Sequence, residues 1–139
     1  MDKTAIVYWS GTGNTAAMAN AVAGGMREVG ADVSVFEVSA VKAADIALYP
    51  KIALGCPSMG DEVLEEGDFE PFFAALLPHL SGKKVALFGS YGWGDGQWMR
   101  DWVPQVQASG ANLFGEGLIM QEAPDEDACN DYGRKFAAY

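Results

Sequence analysis

Short apolar runs alternate along the chain with longer segments in which apolar residues recur at helical spacing. The short runs predict five β-strands, at residues 5–9, 33–36, 52–55, 85–88 and, as a weaker and interrupted fifth strand, 111–114 with 118–120. The helical period predicts helices over residues 18–29, 69–77, 97–109 and 126–138, with a shorter helix or turn at 40–48.

The order of these elements predicts the fold class. Strands that are almost continuously apolar are typical of a sheet buried on both faces. Because helices separate them along the chain, we expect an α/β fold, a doubly wound five-stranded parallel sheet with helices on both faces. A chain of 139 residues can bury one sizeable core, and it contains no repeat or linker, so residues 1–139 are expected to form a single domain. Ligands of such sheets bind at the carboxyl ends of the strands.

The net charge of the chain excludes some classes of binding partner. Nineteen acidic residues against nine basic ones give a formal net charge of −10. Such a protein repels nucleic acid and anionic membranes and attracts proteins that carry basic patches. The chain has no signal-like or membrane-length apolar segment. Its cysteines, Cys56 and Cys129, have no metal-like or redox-like spacing and are expected to be reduced, packed thiols, as in a cytoplasmic protein without a metal site.

The loop after the first strand is rich in hydrogen-bond donors. It contains Ser10, Gly11, Thr12, Gly13, Asn14 and Thr15. Converging backbone N–H groups, hydroxyls, an amide and a helix N-terminus favour a phosphate. The loop lacks the lysine of a Walker motif, which argues against a nucleoside triphosphate.

Two other interpretations of this loop stay open at this point. Gly11, Gly13 and Ala16 also satisfy the dinucleotide fingerprint G-x-G-x-x-A, with Glu37 near the position of a ribose-binding acid. A helix cap without any ligand is the third possibility.

Two further loops are expected at the same edge of the sheet. The third strand is followed by Pro57, Ser58, Met59, Gly60, Asp61 and Glu62, and the fourth by Ser90, Tyr91, Gly92, Trp93, Gly94 and Asp95. A tryptophan between glycines on a ligand-bearing edge is suited to stacking on a flat ring, and Met59 to forming the opposite wall. The alternatives are a Trp93 ring folded onto its own surface and a Met59 that only fills a gap.

Taken together, the segments 12–15, 59–62 and 90–96 resemble the flavodoxin family, of the short-chain kind without the long insertion in the last strand. The resemblance spans nearly the whole chain. It implies a flavodoxin-like fold and a noncovalently bound FMN. It also implies a low-potential one-electron carrier without a substrate of its own, which shuttles between semiquinone and hydroquinone to link redox enzymes.

The resemblance also assigns roles by position. It implies that the first loop holds the phosphate, that Met59 and Trp93 sandwich the isoalloxazine, and that Glu62 accepts a hydrogen bond from its N3–H. The polar edge of the ring would be lined by Ser90, Gly92 and Gly94. Ser58 departs from the family, since similar sequences often carry alanine there. Residues 59–62 are expected to form a four-residue turn whose Gly60–Asp61 peptide can flip between types II′ and II.

Acidic residues gather next to the expected ring site. They are Asp61, Glu62, Glu65, Glu66, Asp68 and Glu70. Such a surface lowers the potential at which a second electron is accepted, although acids are also favoured at a helix start. It is expected to attract reductases and oxidoreductases with basic patches in transient complexes, with the protein itself a monomer. The alternative function is a nicotinamide-dinucleotide-binding oxidoreductase domain, although the loops carry no matching set of proton-transfer residues.

Overall fold

The computed structural model describes residues 3–139. The strands are β1 (Thr4–Tyr8), β2 (Val33–Glu37), β3 (Lys51–Gly55), β4 (Lys84–Tyr91), β5 (Asn112–Leu113) and β6 (Leu118–Gln121). The helices are α1 (Asn14–Glu28), α2 (Ala43–Ile46), α3 (Phe69–Leu76), α4 (Gln97–Ala108) and α5 (Glu126–Ala138), with 3₁₀ turns at Val38–Ala40 and Leu77–His79.

All strand pairs in the sheet are parallel, in the order β2-β1-β3-β4, with β5 and β6 both paired to β4. The fifth position of the sheet is therefore shared by two short strands. Gly115 and Gly117, both at positive φ, lie in the interruption between them. The expected doubly wound, five-stranded parallel sheet is confirmed.

Each face of the sheet carries its own apolar layer. On one face, α3 and α4 bury large rings such as Phe69 and Trp102, and on the other, α1 and α5 bury side chains such as Met18 and Phe136. The central strands contribute to both layers because neighbouring side chains point to opposite faces, as Ile52 and Ala53 do. This explains why these strands are apolar at nearly every position.

Helices α1 and α5 pack closely through glycine. A Cβ on Gly25 would lie 1.9 Å from the Asn130 carbonyl oxygen, and one on Gly133 would lie 2.1 Å from that of Val22. The two backbones therefore approach to a distance that only glycine allows at these positions.

A buried lysine fixes the end of α5. The Lys51 ammonium, on β3, donates to the backbone oxygens of Phe136, Ala137 and Tyr139 at 2.9, 3.1 and 3.2 Å. A cation at a helix C-terminus is favourable both for the unpaired carbonyl groups and for the helix dipole.

The strand register brings three loops together at the carboxyl edge of the sheet. Tyr8 lies opposite Gly55, and Gly55 opposite Phe88. The segments that follow β1, β3 and β4 therefore leave the sheet side by side. Within residues 3–139, no helix has the length and apolar character needed to cross a bilayer.

Candidate functional site

A cavity of about 290 Å³ lies where the three loops meet. It is lined by Trp9, Gly11, Thr12, Asn14, Thr15, Pro57, Ser58, Met59, Ser90, Tyr91, Gly92 and Glu122. All three predicted loops therefore contribute to one site at the carboxyl edge.

The first loop presents the N-terminus of α1 to this cavity. Gly13, at φ +96°, precedes α1, and its N–H donates to the Ser10 hydroxyl at 3.1 Å. Among residues 3–139, no side-chain hydrogen bond caps this end of α1, and the first turn of the helix contains no acidic residue. The N–H groups of the first turn of an α-helix have no intrahelical partner, so they are available to an anion.

Thr15, in the first turn of α1, connects the first loop to the end of β4, because Ser90 lies within this strand and not, as predicted, in the loop after it. Its hydroxyl lies 2.8 Å from that of Ser90, and both side chains are buried. Thr15 was expected to offer its hydroxyl to a phosphate, and Ser90 to line a ring edge. The structure shows a hydrogen bond between the two hydroxyls, which fixes the first turn of α1 to the end of β4.

Two residues of the cavity wall, Trp9 and Glu122, were missing from the predicted site. A Cβ on Gly11 would lie 3.0 Å from the Trp9 ring, so the glycine accommodates this indole. Glu122 adopts a backbone conformation that is uncommon for a residue other than glycine. It has φ +56°, and its N–H donates to the Tyr91 carbonyl at 2.8 Å. Both residues directly follow a strand, β1 and β6, at the carboxyl edge, which is the signal that would have identified them.

The turn after β3 is longer than predicted. Met59 and Val63 exchange two backbone hydrogen bonds, at 2.8 and 2.9 Å, so the loop closes over three residues and not as the four-residue turn 59–62. Gly60 is at φ +50°, as expected for the first central position. The second residue at positive φ is Glu62, at +57°, and not Asp61. A glutamate rarely adopts this conformation, so contacts elsewhere must hold it there.

Those contacts lie at the start of α4. One carboxylate oxygen of Glu62, Oε1, accepts from the N–H groups of Asp95, Gly96 and Gln97 at 3.3, 3.2 and 3.0 Å. A Cβ on Gly94 would lie 2.4 Å from the same carboxylate. Glu62 therefore caps α4, although it is distant from that helix in the sequence. It also holds the Trp93 loop against the turn formed by residues 59–63. A cofactor N–H would have to share this carboxylate with the helix.

The two proposed ring walls are exposed beside the cavity. Trp93 directly follows Gly92 of the cavity lining and is 63% exposed, while Met59 lines the cavity and is 36% exposed. Beneath them, the Tyr91 ring packs on buried Trp98, with centroids 5.5 Å apart. Large apolar side chains left exposed next to a cavity are typical of a binding site.

The other predicted site residues lie around this cavity. Ser10 and Gly13 belong to the first loop, Gly60 and Asp61 border a shallow neighbouring depression, and Glu62 borders a cleft between α3 and α4. Asp95 forms an ion pair of 2.7 Å with Arg100. Gly94 and Asp95 therefore contribute to the shape of the Trp93 loop.

One of the acidic residues near the site has a structural role. The Glu65 carboxylate accepts from the N–H groups of Gly67, Asp68 and Phe69 at 2.7, 2.8 and 2.8 Å, at the start of α3. Partial burial opposes its ionisation, but the three amide donors together outweigh this effect and lower the pKa of Glu65.

The two thiols are free and buried, as expected. Burial raises the pKa of Cys56 to about 12 and that of Cys129 to about 11. Both cysteines therefore remain neutral near pH 7 and act as small apolar core residues.

The residues in and beside the cavity fit FMN. At one end, hydroxyls, an amide and the N-terminus of α1 suit a terminal phosphate dianion. At the other, Met59 and Trp93 offer apolar faces, and the loops offer backbone groups to the polar edge of a flat ring.

Residues 6–133 match the family model for flavodoxin. The chain is 50% identical over 134 residues to flavodoxin from Clostridium beijerinckii, an alignment that covers 95% of this chain and 97% of that protein. It is 45% identical over 132 residues to flavodoxin from Megasphaera elsdenii, which covers 95% and 96% of the two chains.

The fold agrees with solved flavodoxins. The solution structure of two-electron reduced Megasphaera elsdenii flavodoxin superposes with a TM-score of 0.89 at 45% identity, over 98% of this chain and 99% of that one. An archaeal flavodoxin superposes with a TM-score of 0.87 at 27% identity, over 98% and 96% of the two chains. Nothing in these similarities supports the alternative of a nicotinamide-dinucleotide-binding domain. The matched family model spans most of the chain, so the chain belongs to the flavodoxin family and is an FMN-binding electron carrier.

Proposed function

We propose that the cavity between the three loops is the FMN site, and that the protein uses it as a low-potential one-electron carrier. The observation that carries this proposal is the convergence of the loops after β1, β3 and β4 on one cavity at the carboxyl edge of the sheet. The buried bond between Thr15 and Ser90 supports it, because it joins the phosphate end of that cavity to the ring end. Bound FMN supplies the one-electron chemistry.

Each loop has a separate task in this proposal. The first loop binds the phosphate through the N–H groups of α1 and through the side chains of Ser10, Thr12, Asn14 and Thr15. The third and fourth loops enclose the ring between Met59 and Trp93 and exclude water from its faces. Backbone groups of Gly60, Gly92 and Gly94 and the Ser90 hydroxyl serve the ring's polar edge. The other residues predicted for the site shape the loops around it: Gly11, Gly13, Pro57, Ser58, Asp61, Glu62, Tyr91 and Asp95.

The acidic residues beside the turn set the potential. Asp61 and Glu66 are exposed and line the depression next to Met59. Their negative field opposes the addition of a second electron to the cofactor, which lowers the corresponding potential. Glu65, whose carboxylate is engaged by α3, contributes to the same field from a fixed position.

The same surface selects partners in this proposal. We infer transient association with reductases and oxidoreductases that carry basic patches, because the chain has an excess of ten negative charges. We infer a single domain, since helices on both faces pack on one sheet, and a monomer that has no substrate of its own. The two free thiols are consistent with a reducing, cytoplasmic location.

A reductive titration of the FMN-loaded protein at low and high ionic strength tests this function. We expect the potential for the second electron to lie below that of free FMN and to rise with added salt, because salt screens the acidic field. Asp61→Asn should raise it as well. Asp32→Asn, at an exposed position next to the amino end of β2, is the matched control and should leave it unchanged. A potential that responds to neither salt nor Asp61→Asn would contradict the proposed role of the acids.

A further inference from the structure

A second cleft, of about 430 Å³, lies between α3 and α4, outside the FMN cavity. Its apolar walls come from Leu64, Phe73, Leu77, Trp98 and Trp102. The Trp102 ring is fully buried edge-to-face against Phe69 and Phe73, and its indole N–H has no hydrogen-bond acceptor within residues 3–139. The cleft is large enough for one long side chain but not for a helix.

The charged residues of this cleft all have the same sign. Glu62, Glu70 and Asp101 line it, and no lysine, arginine or histidine does so within the described chain. The remaining lining includes Ala74 and Gln105, which are neutral. A cleft with apolar walls and an acidic border is complementary to a cation that also carries apolar surface.

We propose that this cleft receives an arginine side chain of the basic redox partner and so anchors the transient complex. Arginine fits better than lysine. Its planar guanidinium is weakly hydrated and binds carboxylates through two parallel hydrogen bonds. Its methylene stem packs against the apolar walls.

The position of the cleft relative to the cofactor gives the anchor its function. Glu62 borders the cleft, and its carboxylate also holds the N–H groups of Asp95, Gly96 and Gln97 in the Trp93 loop. An arginine bound beside Glu62 therefore brings the partner surface next to the proposed ring edge. This inference rests on the proposed function, because it assigns an anchoring point for the partner of the same site.

The experiment uses FMN-loaded protein and two synthetic peptides, capped at both ends, that are identical except for a central arginine or citrulline. Citrulline has the shape of arginine without its charge. We expect the arginine peptide to shift the indole N–H resonances of Trp98 and Trp102 saturably in ¹H–¹⁵N spectra, and the citrulline peptide to leave them in place.

Two charge variants on α4 provide the matched control. Gln105→Lys places a cation in the cleft, whereas Gln107→Lys adds the same charge at an exposed position outside it. We expect Gln105→Lys to weaken binding of the arginine peptide about fivefold, through repulsion of like charges, and Gln107→Lys to weaken it by less than about twofold.

Three results would contradict the proposed arginine site. They are equal resonance shifts with both peptides, equal weakening of peptide binding by both variants, and indole resonances that do not move. The absorption spectrum of the same samples reports bound FMN. If the protein does not bind FMN, the proposed function is contradicted. If the FMN-loaded protein fails the peptide test, only the proposal that the cleft receives an arginine is contradicted.

Discussion

The hydroxyl groups of Thr15 and Ser90 lie 2.8 Å apart and are buried, although 75 positions separate the two residues in the chain. This bond ties the first turn of α1 to the end of β4. In the proposed FMN site, these elements carry the loops that meet the two ends of the cofactor. The pair therefore couples the shape of the proposed phosphate site to that of the proposed ring site.

Thr15→Val keeps the shape of the side chain but leaves the buried Ser90 hydroxyl without its partner. We expect it to lower the free energy of unfolding of the apoprotein by about 1–2 kcal/mol and to weaken FMN binding. Thr12→Val, at an exposed position of the same loop, should weaken FMN binding but change the free energy of unfolding by less than about 0.5 kcal/mol. Urea denaturation and FMN titration measure the two effects, and equal stability losses would contradict a structural role for Thr15.

Gly25→Ala should disrupt the contact between α1 and α5. Its Cβ would overlap the Asn130 carbonyl oxygen at 1.9 Å, so the helices must separate. We expect a loss of about 2–3 kcal/mol in the free energy of unfolding. Gly24→Ala is the matched control, because its Cβ would meet nothing closer than the Asn130 Oδ1 at 3.6 Å. That variant should gain about 0.5–1 kcal/mol from helix propensity. Similar urea midpoints for the two variants would contradict the close packing.

The two buried tryptophans of α4 should respond differently to replacement by phenylalanine. The Trp98 indole N–H donates to the Cys56 carbonyl at 3.1 Å, whereas that of Trp102 has no acceptor within residues 3–139. Both replacements remove a similar volume, but only Trp98→Phe breaks a hydrogen bond. We expect Trp98→Phe to cost about 1 kcal/mol more than Trp102→Phe in urea denaturation. A Trp102→Phe variant that costs as much as Trp98→Phe would show that its N–H is satisfied in solution.

Glu65 should make stability depend on pH. Its pKa is lower in the folded protein than its ordinary value of 4.5, so ionised Glu65 stabilises the fold above that pH, and this contribution is lost as pH falls through the lowered value. Glu65→Ala removes the acceptor for the N–H groups of Gly67, Asp68 and Phe69 at the start of α3, and we expect a cost of about 1 kcal/mol at pH 7. The difference between wild type and variant should shrink towards pH 3 in urea denaturation. A difference that stays constant over this range would contradict the capping role.

The periodicity of apolar residues was enough to predict the sheet and its helices, because the strands of this fold are buried on both faces and the helices on one. The loop motifs were also enough to indicate which three segments meet. Sequence reasoning could not predict the φ of Glu62, since that conformation depends on the N–H groups of residues 95–97, which only the folded chain brings near.

Other features depended in the same way on tertiary contacts. Glu122 enters the cavity wall because its N–H meets the Tyr91 carbonyl, and the cleft at Trp102 depends on the spacing between α3 and α4. Trp9 and Glu122 could nevertheless have been predicted as site residues, because each directly follows a strand at the edge where ligands of this fold bind.

The most direct measurement of the central claim is a fluorescence titration of flavins with the apoprotein. We expect FMN fluorescence to be quenched to a sharp end point at one flavin per chain, because the ring stacks between Met59 and Trp93 in the proposed site. Riboflavin, which lacks the phosphate, should bind far more weakly, and Trp93→Ala should reduce the quenching while the first loop still holds the phosphate. FMN fluorescence that stays unchanged, or equal affinity for FMN and riboflavin, would contradict an FMN site built from these three loops.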